Sequence, residues 1–349
     1  MLQHGLSRYA AMVPLSWIED NARRLSSRVR TIYKGRPLRY RRYAATGLWL
    51  PKMKYPTSAS ALAISVLSHV QFILAHSWVE QLLRIAPNGT MVEPAGFIRG
   101  YVGRTDTGFT DTDNTYLLPP NGRPDGKVIR TDDSLCKPSQ KIGDYSDKYP
   151  RLVAAPGDYV ALRYQENGHV TLTGNNPSRK PDKSGTIYVY GTASPSENET
   201  LLGVHRAWTA DGQGGDRRGR LLATRHFDDG QCYQVNEGAE SGSRQLRASK
   251  EAQDPQGADL WCQSDVRLPL DIPGTGFYTL YWIWDWPTVS APGSSSVPSP
   301  ETYTSCMEVR MQDRSLSRGQ DMGSGFEKAQ DINNRAIFDQ LVNDFLVDV

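Results

Sequence analysis

Short runs that alternate apolar and polar residues, separated by turn-forming residues, dominate the middle of the chain. Tyr159–Tyr164 alternates after the turn Pro156-Gly157-Asp158, and residues 185–190 alternate after Pro181-Asp182. The strongest run is 276–286 (GFYTLYWIWDW), closed by Pro287, and residues 303–311 form another. Aromatic and β-branched runs bounded by Gly, Pro, Asn and Asp predict strands. No long 3.6-residue period interrupts them between His76 and Met311. Several strands without intervening helices predict an all-β fold: an immunoglobulin/fibronectin-III-like antiparallel β-sandwich with long loops. Residues 104–150, 209–220, 237–258 and 287–300 are polar and turn-rich, and predict those loops. Trp282, Trp284 and Trp286 alternate with Ile283 and Asp285, so they share one strand face and are expected in the core.

The two ends of the chain differ from this pattern. Residues 312–349 form a tail in which Ile332, Ala336, Ile337, Leu341, Phe345 and Leu346 fit one face of an amphipathic helix, expected to pack loosely if at all. At the other end, residues 58–74 are uncharged and largely apolar, follow the charged start Met53-Lys54, and lead to Ala75 before His76. A charged start, a short apolar stretch and a small exit residue predict a secretory signal peptide over 53–75. Interruption by Ser, His and Gln makes the stretch too short and too polar for a comfortable membrane span. Residues 1–52 are Arg-rich and need no role once Met53 is taken as the start, so they read as a basic extension or a gene-model artefact.

Charge sharpens this division. The chain of 349 residues is nearly neutral, with 40 Lys+Arg against 38 Asp+Glu, but residues 1–75 carry a net +10 and the remainder a net −8. A basic head on an acidic body fits a targeting segment, and the body has no basic stripe to bind nucleic acid. The 17 Tyr and 8 Trp outweigh 8 Phe, a bias that suits strands and surfaces facing saccharide.

All four cysteines, Cys136, Cys232, Cys262 and Cys306, lie beyond Ala75, and none forms a CxxC pair. An even count in an exported chain predicts two disulfides, with three pairings open. Asn88-Gly89-Thr90 and Asn198-Glu199-Thr200 are N-glycosylation sequons. Export predicts an extracellular, monomeric protein with no stable membrane association once the signal is removed.

Cleavage after Ala75 would leave His76 as the first residue. An N-terminal histidine offers its α-amine and its imidazole together, and a second imidazole would complete a planar set of three nitrogens suited to Cu(II). At this point the sequence resembles the lytic polysaccharide monooxygenases, secreted copper enzymes with a histidine brace. The start His76-Ser77-Trp78-Val79-Glu80, the segment Gly168-His169-Val170-Thr171, the aromatic strand 276–286 and the motif Glu301-Thr302-Tyr303-Thr304-Ser305-Cys306 carry the likeness, which runs over 76–311. The resemblance implies one type 2 copper held by His76 and His169, with Tyr303 axial and Glu301 orienting bound oxygen species. It also implies the pairing Cys136–Cys306, which leaves Cys232–Cys262.

The activity so implied is oxidative cleavage of glycosidic bonds by hydroxylation at C1 or C4 of a polysaccharide such as cellulose, chitin or xylan, with an external electron donor. His205 and His226 are rivals for a place near the copper, and Trp78 is a candidate for positioning. Two alternatives use the same fold without catalysis: a secreted copper-binding protein, or a cell-wall or effector interaction protein. A glycoside hydrolase would need a carboxylate pair, and nothing in the spacing of Glu80, Asp158 and Asp285 singles one out.

Overall fold

Ten strands make two sheets that face each other across an aromatic core. The structure is a computed structural model that describes residues 76–87, 89–172, 180–252, 255–289, 298–313 and 336–348. The basic extension 1–52, the signal segment 53–75 and Asn88 lie outside the described residues. The first sheet has the order β2 (Met91–Gly96), β1 (Gln81–Ile85), β5 (Tyr159–Tyr164), β8 (Cys262–Arg267). The second has the order β3 (Leu117–Leu118), β10 (Thr302–Met311), β9 (Phe277–Asp285), β6 (Thr186–Thr192), β7 (Gly219–His226). All these pairings are antiparallel, and β4 (Leu152–Ala154) joins β10 in parallel. The expected all-β antiparallel sandwich is what forms.

Side-chain alternation decides what each face buries. Val160, Leu162 and Tyr164 of β5 meet Leu280, Trp282 and Trp284 of β9 in the main core, which Trp286 also joins. The three alternating tryptophans are 0–3% exposed, as their shared face predicted. The opposite face of β9, with Tyr281 and Ile283, packs under loops together with Tyr188, Tyr190, Trp208 and Cys306. The second sheet is therefore covered on both faces, which is why its strands read as nearly continuous apolar runs.

Six strands escaped the alternation pattern: β1, β2, β3, β4, β7 and β8. β7 and β8 bury polar residues, with Arg225, Thr224, Gln263, Ser264 and Asp265 all fully enclosed. Their partner is the tail, so the expectation of a loosely packed amphipathic helix is corrected. The tail's helix is five residues long, Phe338–Val342; its buried residue is Gln340, while Phe338 and Val342 face outward. Arg225 donates to the carbonyls of Gln340, Asn343 and Asp344, and Gln340 accepts the Asp265 N–H at 2.6 Å. The Thr224 N–H donates to Asp344, and Leu346 donates back to Thr224. The tail thus closes the exposed edge of β7, which would otherwise present unpaired backbone groups. The expected loop 237–258 also holds a nine-residue helix, Ala239–Arg247. It is organised by Arg244, which pairs with Glu240 and Asp228, and not by an apolar stripe.

No helix among the described residues is long and apolar enough to cross a membrane. The cysteines pair Cys136–Cys306 and Cys232–Cys262. The first bridge ties the loop that covers the outer sheet face to β10 across 170 residues. Replacing both Cys136 and Cys306 by Ser is expected to cost about 2–4 kcal/mol. Thermal unfolding would register that as a fall of roughly 5–15 °C in melting temperature; an unchanged melting temperature would show that the bridge restrains nothing.

Candidate metal centre

The segment from His76 to Glu80 is anchored to both sheets. The Ser77 hydroxyl donates to the Gln165 carbonyl at 2.9 Å, and the Glu80 N–H donates to Arg163 of β5 at 2.7 Å. Between them the Val79 N–H donates to the Ser305 hydroxyl of β10 at 3.1 Å. These bonds fix His76 at one end of the sandwich. Its carbonyl accepts from the Asn167 side chain, and its Nδ1 lies 3.8 Å from an Asp111 carboxylate oxygen. Burial lowers its pKa, and Asp111 opposes that shift.

His169 reaches the same end through a tight turn. After β5 the chain reverses at Asn167 and Gly168, both at positive φ (46° and 76°), and the His169 N–H closes the turn on the Glu166 carbonyl. The Glu166 carboxylate holds the following residues by accepting the Val170 N–H at 2.7 Å and the Gln234 N–H at 3.0 Å. The His169 carbonyl accepts from the Ser184 hydroxyl at 2.5 Å. Its ring is 1% exposed and lies 4.5 Å from Trp286 and 5.4 Å from Trp284, centroid to centroid. Burial pushes its pKa down to about 3, and the positive charges of Lys180 and His76 push the same way. The ring is therefore neutral, which is the metal-binding form of imidazole.

Tyr303 and Glu301 complete the group. The Tyr303 ring stacks on Trp284 at 5.0 Å, and its hydroxyl donates to Glu301 Oε1 at 2.8 Å. Burial and the Glu301 charge raise the Tyr303 pKa, so the phenol stays protonated. The other Glu301 oxygen pairs with Lys180 at 2.6 Å. Lys180 also sits 3.8 Å over the Trp286 ring and donates to the Trp286 carbonyl. His169, Tyr303 and Glu301 thus gather around Trp284 and Trp286, and His76 lies close enough for its charge to act on His169.

The sequence reading did not find Lys180, Asn167 or Asp111. Lys180 precedes a Pro-Asp turn that carries no chemical signature. Asn167 could have been found, because an Asn-Gly pair before a histidine signals a turn that aims it. The rival histidines are elsewhere. His205 packs edge-on against Tyr188 on the outer sheet face, and His226 is half-buried at the end of β7 beside Lys183 and Asp228. Trp78 is 1% exposed, with Arg104 4.4 Å and Phe109 6.2 Å from its ring and Arg104 also over Phe109.

The carboxylates considered for hydrolysis each have an ion-pair partner: Glu80 with Arg104, Asp158 with Arg84, Asp285 with Arg206. Asp229, Cys232 and Cys262 also cluster, but the two sulfurs are bonded to each other and Asp229 accepts three backbone N–H groups. That cluster has no thiolate to offer a metal. Asn198 is exposed, as a glycosylated residue must be.

The depressed His169 pKa makes a stability prediction. The unfolded chain takes up the proton near the ordinary value of 6.5 and the folded chain only near 3. Stability from this group is therefore complete above about pH 6.5 and is lost as pH falls toward 3. The melting temperature is expected to drop more steeply between pH 6.5 and 4 in the native chain than in His169→Phe; parallel curves would refute a neutral buried ring.

No curated protein matches this sequence. Residues 73–338 match the family described as Domain of unknown function (DUF7492), a span that begins just before His76 and takes in every described strand. The chain belongs to that family.

Proposed function

We propose that the chain is a secreted copper oxidoreductase that acts on polysaccharide through a histidine brace formed by His76 and His169. The observation that supports this best is the neutral, buried His169 ring, close enough to His76 to feel its charge. The donor set fits copper: two imidazoles, a protonated phenol nearby, and an α-amine that His76 acquires only when the Ala75–His76 bond is cut. Magnesium or calcium would call for an oxygen shell, which a pair of imidazoles does not favour. The disulfides fit an oxidising compartment, and the exposed Asn198 fits passage through a glycosylating one.

Copper would supply the one-electron chemistry that activates an oxygen co-substrate for hydrogen abstraction beside a glycosidic bond. The chain's own residues set the conditions. His169 is held in one orientation by the Trp284 and Trp286 rings and by the fixed turn behind it. Asn167 holds the His76 carbonyl, so the first residue cannot swing away from its partner. Tyr303 keeps its proton on the hydroxyl and donates a hydrogen bond to Glu301. Lys180 pins the opposite Glu301 oxygen, leaving that carboxylate as a fixed hydrogen-bond acceptor and proton relay at the site's edge.

Two measurements test this reading. Intact mass and metal content of the secreted product are expected to give a chain starting at His76 with one copper. A form that retains Ala75 should bind copper at least about a hundredfold more weakly, since its amide nitrogen replaces the amine. Equal affinity in both forms would exclude the brace, and copper binding without oxidised oligosaccharides from cellulose, chitin or xylan would leave a copper-binding protein. The second measurement is on Glu301→Gln. Turnover should fall about tenfold while copper affinity stays within about twofold; an equal loss of both would place Glu301 in metal binding instead.

A further inference from the structure

The tail covers more than the edge of β7. The Ala336 N–H donates to the Gly89 carbonyl, between β1 and β2, at 2.6 Å. Ala336 and Leu341 pack on Leu83, Ile85 and Ala161, on the outer face of the first sheet. The Tyr159 hydroxyl of β5 donates to the Leu341 carbonyl at 2.9 Å. The chain then crosses to the second sheet, where Asp344 and Leu346 bond the Thr224 backbone and the Thr224 hydroxyl donates to the Val347 carbonyl at 2.7 Å. Phe345 and Asp348 end at a cavity of about 470 Å³ on the outer face of that sheet, which Arg206 also lines. Residues 336–348 are thus a strap that ties one sheet to the other.

A buried carboxylate lies under this strap. Asp265 of β8 is fully enclosed and accepts from uncharged donors, the Ile337 N–H at 3.0 Å and the Gln263 amide at 2.9 and 3.0 Å. Arg225 of β7 attracts it but turns its own bonds to carbonyls: that of Asp265 at 2.6 Å, and those of Gln340, Asn343 and Asp344 in the strap. Among the described residues no guanidinium or ammonium nitrogen bonds the Asp265 carboxylate. Asp229 adds a like charge, and Tyr164 of β5 keeps its proton because burial raises its pKa. Asp344 of the strap and Tyr159 of β5 act on Arg225, and Asp339 of the strap is exposed. A buried carboxylate with no bonded cation is more stable neutral. Gln263 can serve that neutral acid. Its Oε1 is buried with no hydrogen-bond partner among the described residues, and a half-turn of the amide puts it where Nε2 faces both Asp265 oxygens, to accept the proton.

Lifting the strap removes the Ile337 donor and lets water reach Asp265, which then titrates near the ordinary 3.8; under the strap, burial pushes that value up to about 7. The covered form therefore keeps a proton that the open form gives up. Closure is strongest below about pH 4, weakens as pH rises toward 7, and is level above it. We propose that residues 336–348 form an acid-closed strap, docked while Asp265 carries its proton and released in a growing fraction of molecules as it ionises. Release frees the Thr224 backbone at the β7 edge and withdraws Phe345 and Asp348 from the outer cavity. The device stands on its own residues and requires neither the histidines nor a metal.

The test is amide hydrogen exchange of the full chain between about pH 5 and 8, corrected for the intrinsic pH dependence of exchange and read by mass spectrometry. Peptides covering 336–348 report the strap, and a peptide from β9 reports global opening. Strap protection is expected to fall at least about tenfold from pH 5 to pH 7 and to level off above it, while β9 does not follow. Asp265→Asn keeps an oxygen for the Ile337 N–H and cannot ionise, so its strap protection should stay flat. Gln340→Ala should lower strap protection by the same factor at every pH and leave the slope unchanged. The proposal is overturned if native strap protection is flat with pH, if Asp265→Asn keeps the native slope, or if strap and β9 lose protection together. Protection of β9 also shows whether each variant is folded; where Asp265→Asn is not, the native slope and Gln340→Ala decide.

Discussion

The Trp284 ring organises both the core and the candidate metal centre. It stacks on Phe227 at 3.8 Å, on Tyr303 at 5.0 Å and on Trp286 at 5.2 Å, and its Nε1 donates to the Ser184 carbonyl at 2.8 Å. Its position follows from strand register, because Trp284 faces Ile187 of β6 on one side and Tyr303 of β10 on the other. A one-residue slip of β9 would turn all three tryptophans out of the core and bring Ile283 and Asp285 in. The wall that holds His169 would go with them. The chemistry of the site is thus a consequence of core packing, and the low His169 pKa is the electrostatic sign of that burial.

A second constraint comes from the polar strands β7 and β8. Fully buried Arg225 and Asp265 would be costly without partners. The tail supplies partners through its backbone: Arg225 takes three of its carbonyls and Asp265 takes the Ile337 N–H at 3.0 Å, while the Gln263 side chain of β8 adds a bond to Asp265 at 2.9 Å. Burial outweighs these bonds and raises the Asp265 pKa to about 7. The buried Gln340 side chain adds two bonds, accepting the Asp265 N–H and donating to the Gln263 carbonyl, and two other tail side chains, Phe345 and Asp348, reach the cavity on the outer sheet face.

Asp285 stands between the two regions. It accepts from Arg206 at the cavity rim, and the Thr302 hydroxyl, one residue from both Glu301 and Tyr303, lies 3.5 Å from its other oxygen.

The sequence by itself determined the fold class, because alternation at Tyr159–Tyr164 and along 276–286 admits only strands, and it placed the three tryptophans in the core. It also raised His76, His169, Glu301 and Tyr303 as candidates, through an expected processed end, a Gly-His turn and a motif around Cys306. These are local signals, carried by neighbours in the chain. Only the tertiary structure decided the rest. β7, β8 and the tail were hidden because their buried residues are polar, and each is satisfied by groups more than 70 positions away, as Asp265 is by Ile337 and Gln340. Lys180 joins the site through Glu301, 121 residues distant, and the cavity on the outer sheet face takes its walls from β6, the 205–210 turn and the tail. Periodicity reports how a segment treats water. It is silent about which distant group will answer a buried charge, and that partnership is what places these residues.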